Sequence, residues 1–182
     1  MKTNKLFLAL VMLLVLVSCK KEDSAEKENQ TDVKTNNTFI ITLNAIVKKD
    51  DSFQVYYKDV VDEQVAFDES NSIYVDVKGS DSAQDIVFVL PEDAYPAQIR
   101  LDYGINKDQS EIKINSFKVN YLNNVVDLNA NEFFKHFIFN ESTLVKDTIN
   151  NTIKPLVFNK EGYDPMSYSE KLLNDKFQKL LE

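Results

Sequence analysis

One cysteine, one histidine and one arginine are the side chains of this 182-residue sequence that could do distinctive chemistry alone. Cys19 has no second cysteine to pair with, which excludes an internal disulfide framework and a zinc site built from several thiolates. His136 stands among Phe133, Phe134 and Phe137, and this setting predicts a partly packed imidazole. A Ser-His-Asp triad requires an exposed and oriented imidazole instead, so nucleophilic catalysis is not indicated.

Other catalytic motifs do not occur: the sequence has no Walker loop, no dinucleotide glycine pattern and no His-Glu-x-x-His helix. Acidic residues are plentiful, 29 in all. No two of them stand in an apolar context that would raise the pKa of one, as glycoside hydrolysis by paired carboxylates requires. We therefore expect a protein that is not an enzyme, with a small glycan hydrolase as the less favoured alternative.

Four residues are candidates for binding a ligand: Tyr56, Tyr74, Arg100 and Asp102. Each falls at an outward position of a predicted strand, so the four share one exposed face if those strands lie together. Tyrosine rings can stack on a pyranose, while guanidinium and carboxylate groups form directional hydrogen bonds with hydroxyls. The alternative is structural, with Arg100 paired to Asp76 or Asp102 beside cross-strand tyrosine packing.

Aspartates in the predicted loops and at strand ends supply the hard oxygen ligands that calcium prefers. They are Asp50, Asp51, Asp81, Asp85, Asp102 and Asp108. No EF-hand spacing is present, and solvated turn aspartates would explain the same pattern. We expect no metal site and no cofactor, and leave a structural calcium ion as an open alternative.

The first nineteen residues predict a location. An apolar run over residues 6–17 follows two lysines and is too short to span a membrane, which needs about 20 apolar residues, but is typical of a signal-peptide core. The run ends in Leu16-Val17-Ser18-Cys19, which resembles the lipobox of bacterial lipoproteins. The resemblance implies cleavage before Cys19 and acylation there, and two or three acyl chains hold a protein firmly on a membrane. A secreted protein with a chance cysteine is the alternative.

The polar stretch after Cys19 predicts a disordered tether that ends near Thr38. Its first residues, Lys20-Lys21-Glu22-Asp23, resemble the surface-export signal of some Gram-negative lipoproteins, and a linker facing the periplasm is the alternative. We therefore divide the chain into a signal peptide (1–18), a lipidated cysteine with its tether (19–38) and one folded domain (39–182). The expected location is the outer membrane of the cell envelope.

From Phe39 onward, apolar and polar residues alternate with the period of half-buried strands. The inward-facing sets are Phe39, Ile41, Leu43 and Ala45; Phe53, Val55 and Tyr57; Ile73, Val75 and Val77; and Ile99, Leu101 and Tyr103. The run over 86–90 is apolar on both sides, which predicts a central strand that ends at Pro91.

The segment over 111–121 carries a shift of phase. Its apolar residues form two sets that are out of step by one position: Ile112 and Ile114, then Phe117, Val119 and Tyr121. A β-bulge near Asn115-Ser116 would place all five on one face. Asn123-Asn124 then predicts a hairpin turn before a short strand over 125–128, and weaker strands are expected at 143–149 and 153–158.

Helix is scarce in the predicted fold. Asn131 is expected to cap a short helix that presents Phe133, Phe134 and Phe137 on one side. Ser167-Tyr168-Ser169-Glu170 has the form of a capping box at the start of a C-terminal amphipathic helix. The apolar residues of that helix are Tyr168, Leu172, Leu173, Phe177, Leu180 and Leu181. We expect it to cover an edge or a face of a sheet.

Seven or more short strands with little helix predict an all-β fold, an antiparallel β-sandwich with a short helix and a C-terminal helix. The segments that carry a further resemblance are FQVYY at 53–57, DIVFVLP at 85–91 and IRLDYG at 99–104. They resemble jelly-roll, galactose-binding-like domains, which occur in bacterial surface glycan enzymes and lipoproteins. The resemblance spans residues 53–128 and implies a jelly-roll-like sandwich that contacts carbohydrate.

These features predict a non-catalytic, lipid-anchored envelope protein whose β-sandwich binds a glycan or a partner protein. The alternative of a different class is a structural accessory lipoprotein that docks on an outer-membrane complex by a sheet edge or by its C-terminal helix. A nucleic-acid partner is not expected, because the net charge is −8 and no basic face would neutralise phosphates.

Overall fold

The structure, a computed structural model, describes residues 37–157 and 162–182. Cys19, the predicted signal peptide and all but the last two residues of the predicted tether lie outside these ranges. Within them, the chain forms two antiparallel sheets and two helices. No helix of the described ranges is long and apolar enough to cross a membrane.

The first sheet contains six strands: β1 (Ile40–Ile46), β4 (Gln84–Val89), β6 (Ile112–Tyr121), β7 (Asn124–Asn129), β9 (Leu144–Asp147) and β10 (Thr152–Pro155). Its strand order is β4-β1-β6-β10-β9, with β7 also paired to β6. The second sheet contains β2 (Asp51–Lys58), β3 (Ser72–Val77), β5 (Gln98–Asp102), β8 (Phe137–Phe139) and β11 (Met166–Ser169). Its order is β3-β2-β5-β11-β8. The predicted all-β sandwich is confirmed.

The core lies between the sheets and is built from alternate residues of each strand. The inward-facing residues predicted for β1, β2 and β5 are all buried, and those of β3 are buried or half-buried. Helix α1 (Ala130–His136) closes one part of the core with a cluster of phenylalanines. At the centre of that cluster, the ring of Phe133 lies 4.6 Å from the ring of Phe137.

The bulge in β6 is confirmed at the predicted position. Asn44 of β1 pairs with Ser116, and the next residue, Ala45, pairs with Ile114, so Asn115 is the extra residue. Its side-chain amide donates to Oδ1 of Asn44 at 2.8 Å. Because of this one insertion, the two out-of-step apolar sets of β6 are all buried on the core side.

The prediction of a central strand at 86–90 is wrong, because β4 lies at the edge of the first sheet. Ile86 and Phe88 face the core, whereas Val87 and Val89 are 41% and 53% exposed on the other face. Two-sided hydrophobicity is typical of a strand covered on both faces, and here the second face is open to solvent.

Both helices begin at other residues than the sequence predicted. Helix α1 is capped by Asn129 rather than Asn131, and Asn129 and Glu132 form a reciprocal capping box. Helix α2 (Lys171–Leu180) begins after Glu170, whose side chain makes no capping hydrogen bond. The predicted capping box at 167–170 is therefore wrong, because these residues belong largely to strand β11, where Ser167 and Ser169 are buried.

Three further predictions concern the turn after β6 and the two strands expected at 143–149 and 153–158. The turn of the β6–β7 hairpin lies at Leu122 and Asn123, one residue before the predicted pair. Leu122 has a positive φ of 52°. The strands expected at 143–149 and 153–158 are present as β9 and β10.

Candidate functional site

The four residues proposed to bind a ligand lie on the outer face of the second sheet. Tyr56 of β2 pairs with Arg100 of β5, and in the neighbouring row Gln54 of β2 pairs with Asp102 of β5. On the other side of β2, Gln54 pairs with Tyr74 of β3. Because residues two apart on a strand point to the same face, the structure brings the four side chains together as the strand pattern predicted.

The lone arginine, Arg100, is fixed by Asp102 and Tyr56. Its Nε donates to Oδ1 of Asp102 at 2.7 Å, and a terminal guanidinium nitrogen donates to Oδ2 at 2.5 Å. The guanidinium carbon lies 4.1 Å from the centre of the Tyr56 ring, within the range of a cation–π contact. Of the two ion pairs considered for Arg100, the structure therefore contains the one with Asp102.

This ion pair is largely shielded from solvent, with side-chain exposures of 19% for Arg100 and 12% for Asp102. Burial acts to lower the pKa of Arg100, but the hydrogen bond and charge of Asp102 outweigh it and the pKa is raised. Burial raises the pKa of Asp102, against the opposing effect of the guanidinium. The pair therefore has to be kept together, because either charge alone would be costly to bury.

Glu69, which no sequence pattern marks as a site residue, forms hydrogen bonds with the tyrosines of this face. Its carboxylate accepts hydrogen bonds from the hydroxyls of Tyr56 (2.5 Å) and Tyr74 (2.9 Å) and from the amide of Gln54 (3.1 Å). These donors lower the pKa of Glu69, that of Tyr56 having the largest effect. Glu69 lies in a single 3-10 turn, Glu69–Asn71, whose N-cap is Asp68. No periodic pattern marks such a turn, which explains why the sequence did not reveal it.

The segment between β2 and β3, residues 59–71, covers part of this face. Lys58 donates from Nζ to the backbone carbonyls of Asp62 (2.6 Å) and Val65 (2.9 Å) and so holds the segment down. The ring of Phe67 meets that of Tyr56 edge-on, with centroids 6.4 Å apart. As a result Tyr56 is only 8% exposed. The predicted exposure is wrong for this residue and for the shielded pair Arg100 and Asp102, and is confirmed for Tyr74 alone.

A groove of about 490 Å³ opens between this segment and strands β5, β8 and β11. Its lining includes Lys58, Phe67, Gln98, Arg100, Ile138 and Tyr168. Tyr168 of β11 pairs with Arg100 and stacks on Phe67 with ring centroids 5.8 Å apart. The sequence does not mark Tyr168 as a site residue, because its pattern predicts this tyrosine at the start of the C-terminal helix. Tyr74, at the far side of the same face, is 54% exposed.

Three of the aspartates considered as calcium ligands, Asp50, Asp51 and Asp102, are engaged in other ways. Asp51 accepts from the backbone amides of Ser52, Ile105 and Asn106 and from the amide of Gln109. Asp50 pairs with Lys78. In the part of the chain that the structure describes, no group of three or more acidic, histidine or cysteine side chains could hold a metal ion. Asp102, a further candidate, is paired with Arg100.

His136 is half-buried at the end of α1, with Nδ1 2.7 Å from the carbonyl oxygen of Glu132. This partly packed position agrees with the prediction from its phenylalanine neighbours. Cys19, the predicted lipidation site, lies outside the described residues.

No protein-family model, curated protein or solved structure matches this chain. Function therefore has to be inferred from the residues and the geometry of the chain itself.

Proposed function

We propose that this chain is a non-catalytic lipoprotein of the cell envelope, anchored through acyl chains on Cys19, whose β-sandwich binds a glycan. The anchoring is supported by the apolar run over 6–17 and the Leu16-Val17-Ser18-Cys19 sequence that follows it. A thiol and a new amine at the mature N-terminus would carry the lipid. The outer membrane is the proposed location.

The observation that carries the glycan proposal is the groove beside Arg100. It combines the rings of Phe67 and Tyr168 with two planar hydrogen-bonding groups, the amide of Gln98 and the guanidinium of Arg100. Aromatic faces take the C–H side of a pyranose, while amide and guanidinium groups bond hydroxyls in fixed directions. The guanidinium uses two of its five N–H groups on Asp102, so donors remain for a ligand. The exposed ring of Tyr74 extends the same face.

The carboxylates of the site support binding rather than hydrolysis. Glu69 accepts from two tyrosine hydroxyls, and Asp102 accepts two bonds from Arg100. A glycosidase needs one carboxyl group that carries a proton to the leaving oxygen and a second that acts on the opposite side of the sugar. Although burial raises the pKa of Asp102, both oxygens of Asp102 and both oxygens of Glu69 accept from protein donors, so neither carboxyl group has an oxygen free to carry that proton.

Binding is tested with variants of the groove. Purified protein is run in affinity gels that contain cell-wall and surface polysaccharides, and screened on a glycan array. We expect Gln98→Ala and Tyr168→Leu to abolish the retardation seen with the wild-type chain. The matched control is Tyr95→Leu, which removes an exposed tyrosine on a loop before β5. Binding that survives both groove changes, or that is lost equally in the control, would exclude the groove as the glycan site.

A second candidate function is favoured by the exposed edge strand β4. Among residues 37–157 and 162–182, no strand pairs with its outer edge, and this edge with the exposed Val87 and Val89 is suited to pairing with a strand of another envelope protein. In this case Val87→Lys with Val89→Lys would abolish co-purification of an envelope complex and leave glycan binding intact. The groove variants Gln98→Ala and Tyr168→Leu would have the opposite effects.

A further inference from the structure

The folded domain begins at one particular end of the sandwich. Ile40 at the start of β1 pairs with Asn120 near the end of β6. The ring of Phe39 stacks on the ring of Tyr121, with centroids 4.3 Å apart and planes 16° from parallel. Phe39 and Ile40, where the folded domain begins, therefore lie directly beside the β6–β7 turn at Leu122 and Asn123.

That turn exposes an apolar side chain in an unfavourable backbone conformation. Leu122 has a φ of 52° and is 50% exposed. The left-handed region costs a non-glycine residue roughly 1 kcal/mol, and Gly, Asn or Asp is the usual choice for it. Val125, three residues further on, is also about half exposed. A leucine held half exposed in a strained backbone conformation adds little to the stability of the fold, and such strain is typical of residues with a functional contact.

The last turns of helix α2 lie at the same end. The side-chain amide of Asn124 donates to the carbonyl oxygen of Leu180 at 3.1 Å, which ties the helix end to the start of β7. Between them lies a groove of about 500 Å³ whose lining includes Val125, Lys176, Lys179 and one carboxylate, that of Asp127, which is paired with Lys118 at 3.1 Å. Within residues 37–157 and 162–182, neither lysine lies within salt-bridge distance of a carboxylate.

We infer that this end of the sandwich, with Leu122, Val125, Lys176 and Lys179, is a surface that rests on the lipid bilayer. The inference depends on the anchoring at Cys19 proposed above. Nineteen residues lie between Cys19 and Phe39, so Phe39 stays within about 66 Å of the proposed anchor even when this stretch is fully extended, and it is this end of the domain that the stretch enters. Apolar side chains enter the boundary between headgroups and acyl chains, and lysines beside them attract anionic phosphates.

The charges at this end also indicate which side faces the lipid. The segment after β4 joins the same end, because the amide of Leu90 donates to the carbonyl oxygen of Phe39, and it carries exposed Glu92 and Asp93. Anionic headgroups repel these carboxylates and attract Lys176 and Lys179. The domain therefore tilts so that the side formed by β7 and α2 lies nearest to the bilayer.

The absence of tryptophan from the chain makes the test direct. Leu122→Trp introduces a single fluorophore at the proposed contact. Ile105→Trp is its matched control, because Ile105 is 69% exposed in the loop before β6, at the opposite end of the sandwich. Both full-length chains are expressed in a bacterium that processes lipoproteins, purified in detergent and reconstituted with vesicles of phosphatidylethanolamine and phosphatidylglycerol, with and without bromine on the acyl chains.

We expect the emission of Leu122→Trp to shift to the blue and to lose most of its intensity to brominated lipid, while that of Ile105→Trp stays unchanged. Adding Lys176→Gln and Lys179→Gln to the first chain is expected to reduce the quenching, whereas Lys48→Gln with Lys49→Gln at the opposite end has no effect. Equal, unshifted emission from both tryptophans in protein that floats with the vesicles would overturn this surface alone. Protein that does not float with the vesicles would overturn the anchoring as well.

Discussion

Two neighbouring aspartates show how differently single residues are used in this domain. Asp51 is buried and accepts hydrogen bonds from three backbone amides and one side-chain amide, which fold the loop after β5 around it. Gly104 lies so close that a Cβ there would be 2.3 Å from the Asp51 carboxylate. Asp50 is exposed and pairs with an exposed lysine. Asp50 also accepts from the backbone amide of Gly79, but it does so at the surface, so only the Asp51 carboxylate organises a loop from a buried position.

Replacing Asp51 therefore tests the importance of that loop. We expect Asp51→Asn to lower the free energy of unfolding by about 3 kcal/mol, because its amide NH₂ would face donors and leave buried N–H groups unpaired. Urea unfolding followed by circular dichroism measures the change. Asp50→Asn is the matched control and should leave the unfolding midpoint nearly unchanged, since exposed ion pairs contribute little. Equal effects of the two changes would contradict this assignment.

Glu69 provides a prediction about pH. Its pKa in the folded chain is lowered, first by the Tyr56 hydroxyl and then by that of Tyr74. A carboxyl group with a lowered folded pKa stabilises the fold above its unfolded pKa, about 4.3, and this contribution is lost as the pH falls through the folded value. We expect Tyr56→Phe to raise the pKa of Glu69 toward its ordinary value in a carbon-13 NMR titration, and Tyr74→Phe to raise it less. An unchanged pKa in Tyr56→Phe would exclude this hydrogen bond.

At the residue scale, the sequence predicted the parts of the site that follow from strand period. Tyr56, Tyr74, Arg100 and Asp102 share a face because outward residues of paired strands must do so. The position of the segment that covers part of that face, residues 59–71, was not predictable in the same way. Glu69 and Phe67 come from a connection without a repeating pattern, and its position depends on a few hydrogen bonds and ring contacts formed over long sequence distances.

The two helix starts allow a comparison between elements. In α1 the side chain of Asn129 accepts from the amide of Glu132, and the Glu132 carboxylate accepts from the amide of Asn129. We expect Asn129→Ala to cost about 1 kcal/mol of stability, the usual value of an N-cap. Glu170→Ala at the start of α2 is the control, because Glu170 makes no side-chain capping bond. Thermal unfolding of both variants measures the difference. A control as unstable as Asn129→Ala would contradict the assignment of the cap.

Some elements could be predicted and others could not, for identifiable reasons. The bulge at Asn115 was predictable because a shift of one residue moves every following side chain to the other face, and Phe117 to Tyr121 had to stay inside. The edge position of β4 was not, since apolar residues on both sides of a strand do not say whether anything covers the second face. The start of α2 was predicted too early because Ser167 and Ser169 resemble helix-capping residues. In the structure both belong to strand β11 and are buried inside the domain.

At the scale of the whole molecule, six of the eight tyrosines have raised pKa values, chiefly because they are partly or fully buried. They are Tyr56, Tyr57, Tyr74, Tyr103, Tyr163 and Tyr168. A tyrosine with a raised folded pKa contributes stability that is fully present below its unfolded pKa, about 10, and is lost as the pH rises above it.

We therefore expect the free energy of unfolding to fall steeply above about pH 10, where the unfolded chain ionises its tyrosines first. Tyrosinate absorbance of the native protein should lag behind that of the protein in denaturant, and most of it should appear only as the fold is lost. Native and denatured titration curves that coincide would contradict the burial of these side chains.

The overall architecture, two antiparallel sheets around one core, could be predicted from the period of two and the scarcity of helix. The order of the strands could not, because pairing depends on contacts between residues far apart in sequence. The two parts of the proposed function differ in the same way. The proposed glycan groove depends on strand order, because strand order brings its lining together beside Arg100, whereas the proposed anchor depends only on the first nineteen residues of the sequence.

The proposed anchor is tested most directly by mass spectrometry of the mature protein isolated from membranes. We predict an N-terminal peptide that begins at Cys19 and carries the added mass of a diacylglyceryl group, with or without a third acyl chain. An unmodified N-terminus, recovered from the soluble fraction, would contradict the proposal that this domain works at a membrane surface.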